Sequence, residues 1–329
     1  MTPKRIVVAG CGSIGKRHAR LLAARPDVQV ELFDVDRDQV ARTVETIGPV
    51  AVHESYAAAL DSKPDAVVIA TPVPAHAEQS IDALAAGAHV LCEKPLCDTV
   101  ANGRRMAAAA QATDRLFNVG FVMHFHPACR RVRELIQSGA LGRILHVHWH
   151  VGTYLTLMLS VSRHQASLEG ALLLDYAHQP DVTHWWLQER PTSVFAAGCK
   201  GGSQPLQSNP NVLALTMEYD RPLLATLHLN YVQHPASAHC EITGDEGWVH
   251  MDMEAGELCI GNRASETVVR EVHRPARDAL YIAQFDAFLT AIEEQGEPES
   301  PVEDAMVSMA IIEAALASWR CGEPVPVPC

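Results

Sequence analysis

The chain has 329 residues, 48% of them hydrophobic, enough for about two domains with ordinary buried cores. Its 26 Lys and Arg stand against 39 Asp and Glu, a formal net charge of −13. That balance argues against a nucleic-acid or anionic-membrane partner, which needs basic patches, and leaves room for a small anionic substrate at a local site.

From Met1 the chain runs straight into RIVVAG, with no signal-peptide pattern and no apolar run long enough to span a bilayer. Nine cysteines, an odd count without CxxC spacing, read as free thiols, and the expected location is the cytoplasm. Ile6 to Ala9 is a short β-branched strand ending at Gly10, followed by a helical stretch that stops at Pro26. Residues 28–34 read as a second strand, 36–48 as a helix with a glycine stop, and 50–52 as a short strand. Strands at 65–72, 88–93 and 116–122 alternate with helices at 76–87 and 99–113. Strands separated by helices of this length imply a parallel, doubly wound sheet. After a helix at 126–142 the pattern changes to strand-like runs at 143–155, 192–199, 211–220, 223–232, 239–253 and 257–262. YDRPLL and GDEG supply hairpin turns. One amphipathic helix is expected at about 170–188, and two helices, 278–294 and 301–320, close the chain. The expectation is an α/β protein: an N-terminal Rossmann domain over 1–123, and a C-terminal α+β domain over 124–329 with a large open, mainly antiparallel sheet.

VVAGCGSIGKRH contains Gly10-x-Gly12-x-x-Gly15, with Ser13 and Ile14 between the last two glycines. The motif follows a strand and opens a helix, and Asp34 ends the next strand 19 positions after Gly15. That is the dinucleotide fingerprint: glycines let backbone N–H groups approach a pyrophosphate at a helix N-terminus, and the acid accepts from ribose hydroxyls. Asp34 would repel a 2′-phosphate and so favours NAD, whereas Arg37 is either a partner for that phosphate of NADP or a solvated helix-start residue. VLCEKPLC places Glu93-Lys94-Pro95 at the carboxyl end of a buried strand, where open parallel sheets bind ligands. Pro95 biases Lys94 away from helix. A lysine there can stabilise negative charge on a substrate oxygen.

Four passages, GCGSIGKRHARLL, VVIATPVPAHAEQSIDALAAGAHVLCEKPL, VGFVMHFHPA and LLLDYAHQPDVTHWW, make the chain resemble the Gfo/Idh/MocA family of glucose–fructose oxidoreductase and inositol dehydrogenase. The resemblance implies that Lys94 is catalytic and that its bond to Pro95 is cis. It implies that Thr71, Pro72 and His76 line the nicotinamide half of the site, and that Glu93 contacts the nicotinamide ribose. Met123 and His124 stand at the crossing between domains, where relatives often carry Arg in place of His124, and His124 is a candidate substrate contact.

Asp175, His178 and Asp181 stand at i, i+3 and i+6, one face of a helix. A histidine suits removal of a hydroxyl proton near neutral pH. With the family match, His178 is the acid–base group, Asp175 its support or the partner of Lys94, and Asp181 a structural or substrate-side residue. Many relatives read D-x-x-x-H; this chain reads Asp175-x-x-His178. Glu169-Gly170 replaces the more usual Gly-Gly, and the loop over 155–168 is short. Tyr154 is a candidate substrate contact. His146, His148 and His150 alternate along one strand; three such residues can bind zinc, but the favoured reading is one polar sheet face, and no metal is expected. Cys11 reads as a small filler and His184 as helix packing.

The expected function is hydride transfer between NAD, or NADP, and a sugar, polyol or cyclitol carbinol carbon. Two alternatives stand beside it: a redox-neutral lyase or glycosidase using transient oxidation by tightly bound NAD, and a non-enzymatic dinucleotide-binding sensor. A wide open sheet needs cover. Self-association as a homodimer or homotetramer is therefore expected, as the resemblance also implies.

Overall fold

A computed structural model describes residues 3–153, 169–202 and 208–328. The chain divides into two units, Met1–Val122 with Ala276–Met309, and Met123–Pro275 with Ala310–Cys329.

The first unit is built on six parallel strands in the order β3-β2-β1-β4-β5-β6. In chain order they are β1 (Lys4–Ala9), β2 (Val28–Phe33), β3 (Ala51–Val52), β4 (Ala66–Ile69), β5 (His89–Cys92) and β6 (Phe117–Val119). The connecting helices are α1 (Ser13–Ala23), α2 (Arg37–Ile47), α3 (Tyr56–Asp61), α4 (His76–Ala85) and α5 (Val100–Gln111). Central strands covered on both faces read as continuous apolar runs, and β4, AVVI, is buried throughout. Three of these helices start at a side-chain cap. The Asp36 carboxylate caps α2 at the Asp38 and Gln39 amides, Ser55 caps α3, and Thr99 caps α5. The sequence reading missed α3, a six-residue helix too short to show periodicity. It also extended the last strand to 122, whereas β6 ends at Val119 and Val122–Phe125 is a 3-10 turn. From the far end of the sequence, α9 (Arg277–Glu294, numbered after the helices of the second unit) returns to this unit. It puts Tyr281, Phe285, Phe288 and Leu289 into the same core as Ile6, Leu22 and Leu32.

The second unit holds α6 (Pro127–Gln137), β7 (Ile144–Gly152), α7 (Ala171–Asp175), α8 (His178–Leu187), β8 (Ser193–Cys199), β9 (Val212–Glu218) and β10 (Leu224–Asn230). It continues with β11 (Ser237–Gly244), β12 (Gly247–Asp252), β13 (Glu257–Asn262), β14 (Thr267–Val272) and β15 (Val325–Pro326). The nine strands form one sheet, β14-β13-β12-β11-β7-β10-β9-β8-β15. All described pairings are antiparallel except β7 with β10, so the sheet is mixed. β14 was not foreseen: its side chains are almost all exposed, and no alternation marks it. The remaining helix, α10 (Val302–Cys321), belongs to the first unit up to Met309 and to the second from Ala310.

One face of this sheet is apolar. Val147, Trp149 and Val151 of β7 are buried on it; Trp149 stacks on Trp186 of α8 at 5.4 Å, and its indole N–H donates to Thr183. The helix expected over 170–188 is two helices, with Tyr176 and Ala177 in a turn between them. Pro180 explains the break. It has no N–H for the Tyr176 carbonyl, so it is tolerated only in a first turn, and α8 restarts at His178.

Candidate active site

The carboxyl ends of β1, β2, β4 and β5 bring the fingerprint residues to one edge of the parallel sheet: Gly10 after β1, Asp34 after β2, Thr71 after β4 and Lys94 after β5. The order reverses between β1 and β4, the point at which open α/β sheets take ligands.

The glycine turn has a steric cause at each end. Gly10 has φ +94°, and a Cβ there would sit 2.5 Å from the Ala70 carbonyl oxygen. A Cβ on Gly15 would lie 1.8 Å from the Gly10 oxygen. Gly12 has nothing within 4 Å of the Cβ position, so its backbone is open to an approaching phosphate. Ser13 and Ile14 open α1, the helix whose N-terminus favours an anion. Asp34 accepts from the Cys11 amide at 2.6 Å and from the Asp36 amide at 2.8 Å. The carboxylate therefore holds the loop as well as standing where a ribose would be read. Burial, then the Asp34 charge, pushes the Cys11 thiol up to about 12, so Cys11 is an inert filler. Arg37 opens α2 and reaches the His53 and Glu54 carbonyls at 3.4 Å.

Thr71 donates its hydroxyl to Gln79 at 2.6 Å. Pro72 precedes the 3-10 turn that leads into α4. His76 is buried, with one ring nitrogen 2.9 Å from the Thr71 carbonyl and the other 3.1 Å from that of Pro95. Burial lowers its pKa, partly offset by these carbonyls. His76 thus ties the turn after β4 to the turn after β5. The Lys94–Pro95 bond is cis, and the Lys94 amide donates to the Glu93 carboxylate at 3.1 Å.

Sequence reasoning missed His18. It is fully buried on α1, and its Nε2 lies 2.6 Å from Glu93 Oε1. Its ring meets Tyr281 and Phe285 edge-on. The glycine-loop helix is thereby fastened to the Glu-Lys-Pro turn. The sequence signal was a histidine on the buried face of an amphipathic helix, three residues after the last loop glycine.

In the second unit, Asp175 ends α7 and His178 begins α8, so the single helical face expected for Asp175, His178 and Asp181 is not formed. Asp175 accepts from the Tyr231 hydroxyl. His178 is half-buried. Asp181 is buried against His124 at 2.8 Å, and the His124 ring stacks on Trp185 at 4.3 Å. Those contacts pack Asp181 and His124 together beside Trp185 within the unit. His184 Nδ1 meets the Glu189 carbonyl at 3.0 Å, as expected of helix packing. Tyr154 and the 155–168 loop lie outside the described residues.

A parallel sheet whose glycine turn, acid and lysine converge on one edge defines a dinucleotide-dependent enzyme of the two-domain oxidoreductase class. The comparisons agree. A model of the oxidoreductase family with an NAD-binding Rossmann fold matches residues 4–121, and a model of the GFO/IDH/MocA C-terminal domain matches residues 129–250. The chain is 30% identical to inositol 2-dehydrogenase of Acidothermus cellulolyticus over 87% of its length and 82% of that protein. It is 24% identical to inositol 2-dehydrogenase of Rubrobacter xylanophilus, covering 97% and 92%. Its fold matches scyllo-inositol dehydrogenase of Lactobacillus casei, solved with NAD(H) and scyllo-inositol, at a TM-score of 0.84, with 22% identity over 99% of each chain. The chain belongs to the GFO/IDH/MocA family and is an NAD(P)-dependent oxidoreductase.

Proposed function

We propose that the chain transfers a hydride between NAD and a secondary alcohol carbon of a cyclitol, sugar or polyol. The observation that carries this is the Glu93-Lys94-Pro95 turn, placed beside the Gly10–Gly15 loop at the carboxyl edge of the parallel sheet. The relatives named inositol 2-dehydrogenase support the substrate class.

The nicotinamide supplies the hydride acceptor when bound. Gly10, Gly12, Ser13, Ile14 and Gly15 hold the pyrophosphate, and Asp34 holds the ribose, which favours NAD over NADP; Arg37 lies beside this end. Thr71, Pro72, His76 and Glu93 shape the nicotinamide half. Lys94 stabilises developing negative charge on the substrate oxygen. His178 takes the hydroxyl proton, and Asp175, fixed by Tyr231, keeps the charge of its surroundings negative. Asp181 and His124 brace the start of α8. The protein works in the cytoplasm as a homo-oligomer joined through the open face of its large sheet, with no nucleic-acid or membrane partner. No described helix is long and apolar enough to cross a membrane.

The test is reduction of NAD and NADP at pH 7 to 9 with a panel of inositols, sugars and polyols. Wild type should reduce NAD with at least one cyclitol or sugar. Lys94→Ala and His178→Ala should each lose about 100-fold or more in kcat while still binding NAD. Near-normal turnover in either variant would remove that residue from the chemistry. NAD binding without reduction of any compound would move the function to a redox-neutral reaction or to sensing.

A further inference from the structure

The sheet of the second unit has a second face, and it is unusual in chemistry. In one row across the sheet stand Arg270, Cys259, His250, Glu241, His148, Thr226, Thr216 and Phe195, each paired with the next. The next row carries Val272, Glu257, Asp252, His239, His150 and His228. A third carries Val268, Gly261, Trp248, Thr243, His146 and Leu224. Six imidazoles therefore share this face. His150 stacks on His228 and on His239, both at 4.9 Å between ring centres, and His146 and His239 face His148 and His250 at about 6 Å. Around them lie large exposed apolar side chains: Trp248 laid across Gly261 and 40% exposed, Leu224 at 45%, and Val272 at 63%.

Resting on the self-association reading above, we propose that this face pairs with a second copy of the chain only while its imidazoles are neutral, so that acid separates the copies. Two observations favour a second copy as the occupant. Eight strands about 4.8 Å apart, each giving about 20 Å of length, offer roughly 700 Å² of flat area, close to the ~800 Å² per partner of a stable interface. A two-fold axis along β7 lays the β11–β13 half, with Glu241, Asp252 and Glu257, over the half whose matching rows carry Thr226, Thr216 and Ala214. Carboxylates then do not meet carboxylates.

The gate follows from the charges around the rings. His150 faces His228 on β10, His239 on β11, and the Gln233 side chain at 2.8 Å. His146 and His148 both bond the Thr226 hydroxyl, and His148 is paired with Glu241. His239 is paired with Asp252; His250 lies 3.4 Å from Glu241 and is paired with Cys259, which is paired with Arg270. On β7, β10 and β11 this face carries five imidazoles and one carboxylate, Glu241, so each ring that takes up a proton adds positive charge that a single carboxylate cannot balance. Burial first, then neighbouring imidazoles, lower the pKa of His146, His228 and His239, so the neutral rings belong to the folded arrangement. Pairing is favoured while these rings are neutral and weakens as pH falls below the ordinary imidazole value, about 6.5, and through their lowered values.

Sedimentation of the full chain at pH 8.0 and 5.5, at fixed salt, tests this. Wild type should be associated at pH 8.0, and its dissociation constant should rise at least about tenfold at pH 5.5, with unchanged circular dichroism. A triple variant, His150→Gln with His228→Asn and His239→Gln, should stay associated at both pH values. Trp248→Glu and Leu224→Glu should each be monomeric at pH 8.0. Association unchanged at pH 5.5, or lost together with the sheet signal, overturns the gate while leaving the interface. A triple variant that separates at pH 5.5 as wild type does also overturns the gate. Monomeric wild type at pH 8.0, or Glu variants that remain associated, overturns the interface itself.

Discussion

A single buried carboxylate on β2 shows how tightly this chain places charge. Glu31 is 1% exposed, accepts from Arg5 at 2.9 Å and Ser62 at 3.1 Å, and meets His53 Nε2 at 2.6 Å. Burial alone would raise its pKa; the hydrogen bonds from His53, Arg5 and Ser62 outweigh it and hold the carboxyl below its usual range. A lowered carboxylate pKa stabilises the fold above the ordinary value of about 4.3, and that stability is lost as pH falls through the lower folded value. Glu31→Gln should cost about 2–3 kcal/mol at pH 7, read as a lower midpoint in thermal unfolding. The gap to wild type should narrow as pH falls below the ordinary carboxylate value and close once it passes the lower folded value, where the wild-type carboxyl is protonated too. At this scale the sequence was readable where chemistry is local. Gly10, Gly12, Gly15 and Asp34 stand out by spacing alone, and the Glu-Lys-Pro turn by charges at the end of an apolar strand. The His18–Glu93 contact was not readable, because it joins residues 75 positions apart and depends on how α1 lies on the sheet.

At the scale of elements, hydrogen bonds to side chains settle what periodicity leaves open. Ser318, buried near the end of α10, accepts from the Ala196 amide of β8 at 2.9 Å and donates to the Glu323 carbonyl at 2.6 Å. One hydroxyl thus fixes an edge region of the sheet and the turn leaving the helix. Ser318→Ala should leave a buried amide unsatisfied and cost about 1–3 kcal/mol, measurable by urea unfolding with little change in slope. The paired helices α7 and α8 make the converse point. Apolar spacing over 170–188 is continuous across Tyr176 and Ala177, so the pattern alone joins them; Pro180 carries the break, and its effect falls on the carbonyl four residues earlier. In the large sheet, β9 and β10 were legible from alternation and the Asp220–Pro222 turn. β14 was not, since an edge strand exposed on both faces has no buried set to alternate.

At the scale of the molecule, the alternation of strands and helices sufficed for the doubly wound sheet, and the later run of strands for the broad one. Their pairing partners were less accessible. The parallel contact of β7 with β10 bridges more than 70 residues, and nothing in either strand announces it. The return of α9 to the first unit was also hidden, since its buried Tyr281 and Phe285 would suit any core. A fragment of residues 1–122 should therefore bind a hydrophobic dye and melt broadly, and adding 276–309 on a flexible linker should restore a cooperative transition; a sharp transition from the shorter fragment alone would contradict this.

That returning helix also sets a clock on biosynthesis. Tyr281 leaves the ribosome 159 residues after Val122, a wait of roughly 8–30 s at about 5–20 residues per second. For that interval the face of the nascent chain around Leu22 and Val40 is apolar and uncovered. The first unit to be translated cannot be the first to finish, and its natural client relationship is with whatever shields apolar surface on emerging polypeptides.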